Sequence, residues 1–170
     1  MRCPVCKAEM ICRQGEHHYK ESGLDNVYLV GVDIFECSCG ERVVNIPAVT
    51  ELHNKLATDI IKKKSILNGK EIRFLRKNMG LTAVKLAGYL GVDNATISRW
   101  EKGKQPIRGA NDRLLRLIFS NIKGIPAEEI KHLIEKDFEE ITPERKEPAP
   151  YMIPRDEWSK TKICFTDDSG

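Results

Sequence analysis

Apolar residues recur every three or four positions in several stretches of the chain, which is the spacing of one face of an α-helix. The first such stretch predicts a helix from Pro47 to about Lys63, with apolar positions at Val49, Leu52, Leu56, Ile60 and Ile61. Similar patterns predict four to five short helices between residues 68 and 123, and one more over about 127–141. Nearer the N-terminus, two apolar runs on either side of Gly31 predict strands, 27–30 and 32–35.

The stretch 80–104 predicts two short helices joined by a tight turn. Thr82 is a good N-cap for the first helix, and Gly91 can end it because glycine enters the left-handed conformation freely. Asp93 can cap the second helix, which runs from about Asn94 to Lys102. This pattern is typical of a helix-turn-helix, in which the second helix enters the major groove of DNA.

Side chains on this second helix divide into an inward and an outward set. Ile97 and Trp100 are three positions apart and should belong to the core. At outward positions, Asn94 could pair with adenine and Arg99 with guanine, although an ion pair with a surface carboxylate is the alternative for Arg99. Nearby basic residues could hold phosphates. The predicted DNA contacts are Lys85, Asn94, Ala95, Thr96, Ser98, Arg99, Lys102, Lys104 and Arg108.

The net charge of +3 conceals an uneven distribution along the chain. Residues 68–123 contain twelve basic and four acidic residues, while residues 1–67 are balanced and residues 124–170 are acidic. Positive charge therefore coincides with the predicted helix-turn-helix, as phosphate binding requires. A basic surface can also be merely solvated, so its coincidence with the motif is what favours nucleic acid.

Four cysteines near the N-terminus have the spacing of metal ligands. Cys3 and Cys6 form a C-x-x-C pair. Cys37 and Cys39 form a C-x-C pair, and Gly40 follows where a knuckle turn needs a residue without a Cβ. Two such pairs suit one tetrahedral Zn²⁺ per chain, which would stabilise a segment too small to fold on its own core.

The second pair departs from the commoner C-x-x-C spacing, so other ligands stay open. Cys12, His17 and His18 could substitute, although a free thiol and two surface histidines are the simpler interpretation. A thioredoxin-like role for Cys3–Cys6 would require the motif to begin a helix after a strand, whereas it lies at the start of the chain. Four protein ligands leave zinc no open position, and we expect no enzymatic activity.

Residues 82–104 resemble the DNA-binding domain of the lambda-repressor-like (XRE) family, most clearly in Leu86-Ala87, Leu90-Gly91-Val92 and Thr96 to Lys104. Ala83 stands where that family often has glutamine. The wider stretch 1–124 is similar to MqsA-type antitoxins, in which a YgiT-type zinc finger precedes such a domain; the further matching segments are 3–6, 19–24 and 37–41. The resemblance implies a homodimer that represses its own operon and binds a toxin through the zinc finger.

These observations predict an α+β protein in four parts: a zinc-binding β domain at 1–46, a connecting helix at 47–67, a helix-turn-helix domain at 68–123 and an acidic extension at 124–170. Prolines after Thr142 predict an extended tail, in which Trp158 and residues 163–165 could form a short docking strand.

The expected function is sequence-specific repression at a palindromic operator, as the antitoxin of a type II toxin–antitoxin pair; the alternative is a stand-alone XRE-type regulator. No apolar run is long enough to span a bilayer, and the N-terminus lacks the core of a signal peptide. We therefore expect a cytoplasmic protein.

Overall fold

The computed structural model describes residues 1–142 and 149–160 and divides the chain into two compact units. The first unit combines Met1–Leu52 with the C-terminal residues from Pro148 onward. The second unit, His53–Glu147, is therefore inserted in sequence between the two parts of the first. The α+β class predicted from the sequence is confirmed, because a small sheet with a cysteine cluster precedes a helical unit and a C-terminal extension.

Four strands form the sheet of the first unit: β1 (Ile11–His18), β2 (Val27–Glu36), β3 (Arg42–Asn45) and β4 (Tyr151–Pro154). The long strand β2 is central, with β1 antiparallel to it on one side. On its other side, β3 pairs antiparallel with the second half of β2, and β4 pairs parallel with the first half. Parallel strands need a crossover connection, and here that connection is the whole second unit.

Strand β2 is continuous through Gly31, where the sequence predicted two separate strands. Gly31 has φ +75° and is the extra residue of a β-bulge, because the register with β1 shifts between Gly15 and Glu16. The buried core positions Val27, Leu29, Val32 and Ile34 accordingly change from odd to even numbers across the bulge. Strand β1 itself was missed, because its sequence is mostly polar and no alternation marks it.

Helices build the second unit: α1 (Val49–Lys62), α2 (Gly69–Asn78), α3 (Ala83–Leu90), α4 (Asn94–Glu101), α5 (Gly109–Ile122) and α6 (Ala127–His132). Helix α1 begins in the first unit and continues into the second. The apolar core of the helical unit includes the fully buried side chains of Leu75, Leu86, Ile97, Leu115 and Phe119. Among the described residues, no helix is both long enough and apolar enough to cross a membrane.

Helix α5 carries a buried ion pair that the apolar pattern did not reveal. Arg116 and Asp112, one turn apart, are both fully buried, with Nε 2.8 Å from Oδ2. The guanidinium also donates to the carbonyl oxygens of Ile61, Lys63 and Ser65, at 2.7–2.8 Å. Arg116 thereby caps the end of α1 and the chain that follows it, which holds the connecting helix against α5.

The extension after residue 123 differs in detail from its prediction. The helix expected over 127–141 is α-helical only to His132 and continues as a π-helical turn, Leu133–Asp137. Beyond it, β4 and a 3₁₀ turn at Arg155–Glu157 belong to the sheet unit, where the sequence predicted an extended tail. Trp158 is buried there, whereas the proposed docking strand at 163–165 lies outside the described residues.

Candidate metal centre and nucleic-acid interface

Cys3, Cys6, Cys37 and Cys39 form a compact cluster of sulfur atoms. All four Sγ atoms lie within 4.8 Å of one another. Across the pairs, the Sγ atoms of Cys3 and Cys39 are 3.6 Å apart and those of Cys6 and Cys37 are 3.4 Å apart. Zinc–sulfur bonds of about 2.3 Å in a tetrahedron place sulfurs about 3.8 Å apart. The four side chains therefore fit a metal ion bound by thiolates.

Two tight turns bring the sulfurs together. After Cys37 the chain folds back at Gly40, which has φ +91° and donates its N–H to the Cys37 carbonyl at 2.9 Å. After Cys3 the corresponding left-handed residue is Lys7, at φ +65°, with its N–H 3.1 Å from the Cys3 carbonyl. Gly40 was the turn residue predicted from sequence, whereas a left-handed lysine carries no comparable signal.

Backbone N–H groups point at the sulfurs, as a thiolate site requires. The N–H of Cys39 and the thiol of Cys6 lower the pKa of Cys37 to about 7. The N–H of Glu41 acts in the same direction on Cys39, but neighbouring Cys37 and Cys6 outweigh it and raise the pKa of Cys39 to about 12. The crowded sulfurs thus oppose full ionisation until a cation is present.

The alternative ligands are not part of the sulfur cluster. Cys12 is disulfide-bonded rather than a free thiol, so the simpler interpretation from sequence was wrong on this point. His18 Nε2 lies 2.7 Å from the carbonyl oxygen of Asp25, and His17 Nε2 lies 3.4 Å from a Glu21 carboxylate oxygen. Among the residues that the structure places, the four paired cysteines alone form a cluster of metal-ligand type.

Helices α3 and α4 form the predicted helix-turn-helix, with the predicted caps. The Lys85 N–H donates to Thr82 Oγ1 at 3.2 Å at the start of α3. Gly91 ends that helix in the left-handed conformation, at φ +64°. Asp93 caps α4 by accepting from the Thr96 N–H at 2.6 Å. Each turn signal in this stretch is local, which is why the sequence predicted the motif closely.

Helix α4 presents its outward residues to solvent. Ile97 and Trp100 are buried, as predicted. Thr96 and Ser98 are half-buried, while the other predicted DNA contacts are exposed: Lys85, Asn94, Ala95, Arg99, Lys102, Lys104 and Arg108. These seven side chains are therefore accessible to solvent.

Arg99 is held over the first turn of α4. Its Nη2 donates to Thr96 Oγ1 at 2.9 Å and lies 3.7 Å from Asp93 Oδ1. The pKa of Asp93 is lowered, first by the Thr96 N–H and also by the Arg99 charge. Both partners of this ion pair are substantially exposed, so it adds little stability in water.

A second contact fixes the end of α4 against α2, and the sequence did not predict it. Arg76 makes a two-bond ion pair with Glu101, with Nη2 3.0 Å from Oε2, and donates to the Leu81 carbonyl at 2.9 Å. The Glu101 hydrogen bond raises the pKa of Arg76. A Cβ on Gly69 would lie 2.3 Å from the Trp100 carbonyl oxygen, so only glycine permits this approach. Arg76 is one of the twelve basic residues of 68–123, but its guanidinium is already paired with Glu101.

Comparison with known proteins bears on the helical unit. Residues 72–111, from α2 to the beginning of α5, match the helix-turn-helix family model HTH_3. No curated protein matches the chain significantly. The matched residues and the geometry of α3 and α4 define this part of the chain as a DNA-binding helix-turn-helix of XRE type, as found in transcription regulators. The matched range does not include the cysteine cluster.

Proposed function

We propose that this protein is a sequence-specific transcriptional repressor whose α4 reads the major groove of DNA. The observation that carries the proposal is the geometry of α4. Asp93 caps the helix, Trp100 is buried in the core, and Asn94 and Arg99 are exposed. Asn94 would make paired hydrogen bonds to adenine, and Arg99 would do the same to guanine. Ala95 would offer a methyl contact, for example to thymine.

The remaining predicted contacts would position the helix. Thr96 and Ser98 could reach bases or phosphates, although Thr96 also carries the Arg99 hydrogen bond. Exposed cations around the motif would hold phosphates and carry no sequence code; they are Lys85, Lys102, Lys104 and Arg108. Affinity would then depend strongly on salt, because each neutralised phosphate releases counterions.

We also propose that the cysteine cluster holds one structural Zn²⁺ per chain. Four thiolates complete a tetrahedral shell, so no position remains for a substrate or an activated water. The metal would stabilise the sheet unit and take no part in chemistry, and the protein would not be an enzyme. Metal analysis of the purified protein should give one zinc per chain, released only when the sheet unit unfolds.

The biological role we propose is that of an antitoxin which represses its own operon as a homodimer in the cytoplasm. The support is the resemblance of 1–124 to MqsA-type proteins, in which the zinc finger contacts the toxin. A two-fold dimer would place two α4 helices on half-sites about one helical turn apart, which predicts a palindromic operator. The test is whether a small growth-inhibiting protein is encoded beside this gene and co-purifies with it; a stand-alone regulator would have no such partner.

An unbiased selection on random duplex DNA tests the DNA-binding proposal. We expect the metal-loaded protein to enrich a short palindromic sequence, and loss of any sequence preference at moderate ionic strength would contradict the proposal. Arg99→Ala should then weaken operator binding by about 1–3 kcal/mol and relax the preference at one base pair. Lys104→Ala should weaken operator and random DNA alike and reduce the salt dependence.

Lys131→Ala is the matched control for these variants. Lys131 is an exposed lysine of α6, outside the helix-turn-helix, so its removal changes net charge without touching the proposed interface. Binding curves for the three variants on the selected operator and on a scrambled duplex separate base reading from general attraction. Equal losses for Arg99→Ala on both duplexes would show that Arg99 does not read a base.

A further inference from the structure

The guanidinium of Arg99 contacts a hydroxyl and a carboxylate at the start of its own helix. Arg99 follows the N-cap Asp93 by more than one turn, yet its Nη2 donates to Thr96 Oγ1 at 2.9 Å and lies 3.7 Å from Asp93 Oδ1. Side chains of an α-helix point back toward its N-terminus, which brings residues three positions apart into contact. The three polar groups therefore form one cluster at the first turn of α4, the turn that also carries Asn94.

The direction of the Thr96 hydroxyl follows from its two neighbours. A guanidinium offers only donors, so the hydroxyl oxygen must accept from Arg99, and its hydrogen is available to the Asp93 carboxylate. The N–H of Thr96, and next its hydroxyl, lower the pKa of Asp93. The same N–H donates to Asp93 Oδ1 at 2.6 Å. Thr96 is thus tied to the carboxylate through its backbone and its side chain.

These contacts contribute little to folding, but they can matter for binding. The side chains of Arg99 and Asp93 are 48% and 67% exposed, and pairs as exposed as this add little stability. A long arginine side chain loses much rotamer freedom when a ligand fixes it. A contact that limits this freedom before the ligand arrives reduces the free-energy cost of binding.

We propose that Thr96 is a positioning residue for Arg99: its hydroxyl, oriented by the Asp93 carboxylate, holds the guanidinium where it can bind guanine. This inference rests on the proposed reading of DNA by α4. A guanidinium has more N–H groups than the one that Thr96 accepts, so a parallel pair of them can bind guanine while the contact with Thr96 persists. Thr96 thereby contributes to the choice of base through Arg99 and without touching the base.

The test is a double-mutant cycle between Thr96→Val and Arg99→Ala in the full-length, metal-loaded protein. Valine keeps the branched shape of threonine and the backbone N–H that Asp93 caps, so only the hydroxyl is lost. Each variant is titrated with the duplex enriched from random DNA, and with the same duplex changed at the base pair whose preference Arg99→Ala relaxes. The ratio of the two dissociation constants measures discrimination at that base pair.

Thr96→Val should lower this ratio by roughly two- to tenfold, because the free-energy cost of immobilising one long side chain then falls on binding. It should have no further effect once Arg99 is replaced by alanine. Thr96→Ala, which also lacks the hydroxyl, should give the same ratio as Thr96→Val, and Thr96→Ser should restore the ratio of the parent. The matched control is Thr58→Val, which removes a hydroxyl that donates to the Asn54 carbonyl at 2.9 Å on α1, and it should leave the ratio unchanged.

A second measurement needs no DNA. In ¹⁵N-labelled protein, NMR should show faster rotation of the Arg99 guanidinium in Thr96→Val than in the parent and in Thr96→Ser. Equal rotation in all three, or an unchanged ratio in Thr96→Val, would overturn this inference alone. An effect of Thr96→Val that persists in the Arg99→Ala background would also overturn it, because Thr96 would then contact the base itself. Equal losses for Arg99→Ala on all duplexes would instead contradict the proposed base reading, and this inference would fail with it.

Discussion

Two buried arginine–aspartate pairs, one in each unit, are chemically alike and differ in how the chain brings them together. Arg116 and Asp112 are neighbours on one turn of α5, and three backbone carbonyls complete the shell of the guanidinium. Arg155 reaches Asp33 across most of the sequence, and its contact with the Gly31 carbonyl oxygen is longer, at 3.4 Å. One pair forms once a helix forms, whereas the other needs the whole first unit to be assembled.

The same contrast holds for the units as wholes. In the helical unit, caps at Asn68, Thr82 and Asp93 lie within three residues of the groups they satisfy. In the sheet unit, two features join distant parts of the chain: the cluster of the two cysteine pairs, and the pairing of β4 with β2. A contact between residues close in sequence closes a short loop and loses little chain entropy. A contact between distant residues loses more, so it depends on a strong interaction such as metal binding or a buried ion pair.

Metal removal should produce the largest difference in stability between the two units. Structural zinc supplies on the order of 10 kcal/mol of folding free energy in small zinc-binding domains. Chelation should therefore abolish hydrogen-exchange protection of β2 and leave the amides of α3 and α4 protected. Return of protection on adding zinc is the control. Protection of β2 that survives complete chelation would show that the sheet does not depend on the metal.

Arg116→Met should be the most damaging single substitution in the helical unit. It leaves the Asp112 carboxylate and three carbonyls buried without their donor, and breaking a buried pair in this way costs about 3–5 kcal/mol. Urea unfolding followed by helix circular dichroism measures the loss, with Lys131→Ala as a charge-matched surface control. A loss no larger than that of the control would contradict the account of α5.

Arg155→Met should give a smaller loss, of about 3 kcal/mol, confined to the sheet unit. The Asp33 carboxylate and the Gly31 carbonyl lose the guanidinium, and the contact with the Gly31 carbonyl, at 3.4 Å, is longer and therefore weaker than those of Arg116. Hydrogen exchange should show lower protection at Val27–Val30 and unchanged protection along α5. Equal destabilisation of both units would mean that they do not unfold separately.

Lowering the pH should have the smallest effect on stability, because it acts through protonation of Asp93, the N-cap of α4. The pKa of Asp93 is lowered from its ordinary 3.8 in the folded protein. Its carboxylate therefore stabilises the folded state above that ordinary value, and this contribution disappears as the pH falls through the folded pKa. Thermal unfolding from pH 7 to pH 2 should show Asp93→Asn less stable than the parent at neutral pH and closer to it in acid. A constant difference across this range would count against the carboxylate.

The helix-turn-helix could be predicted closely from sequence because its signals are local. The caps Thr82 and Asp93 each accept a hydrogen bond from a backbone N–H three residues later, and Gly91 ends α3. The buried side of α4 is marked by Ile97 and Trp100. The four cysteines were also found by spacing alone, since metal ligands recur in recognisable pairs. What local pattern could not show was the pairing of Arg76 with Glu101, because a charged residue on an amphipathic helix is usually solvated.

The sequence by itself therefore determined the position of helix α4, its cap and the four sulfurs, because each depends on residues a few positions apart or on a spacing with few interpretations. Only the tertiary structure decided that the C-terminal segment completes the N-terminal sheet, and that Asp33, Asp112, Arg116 and Arg155 are buried in pairs. The physical reason is that burial and charge pairing depend on which distant segments meet, and hydrophobic periodicity carries no information about the partner of a charged residue.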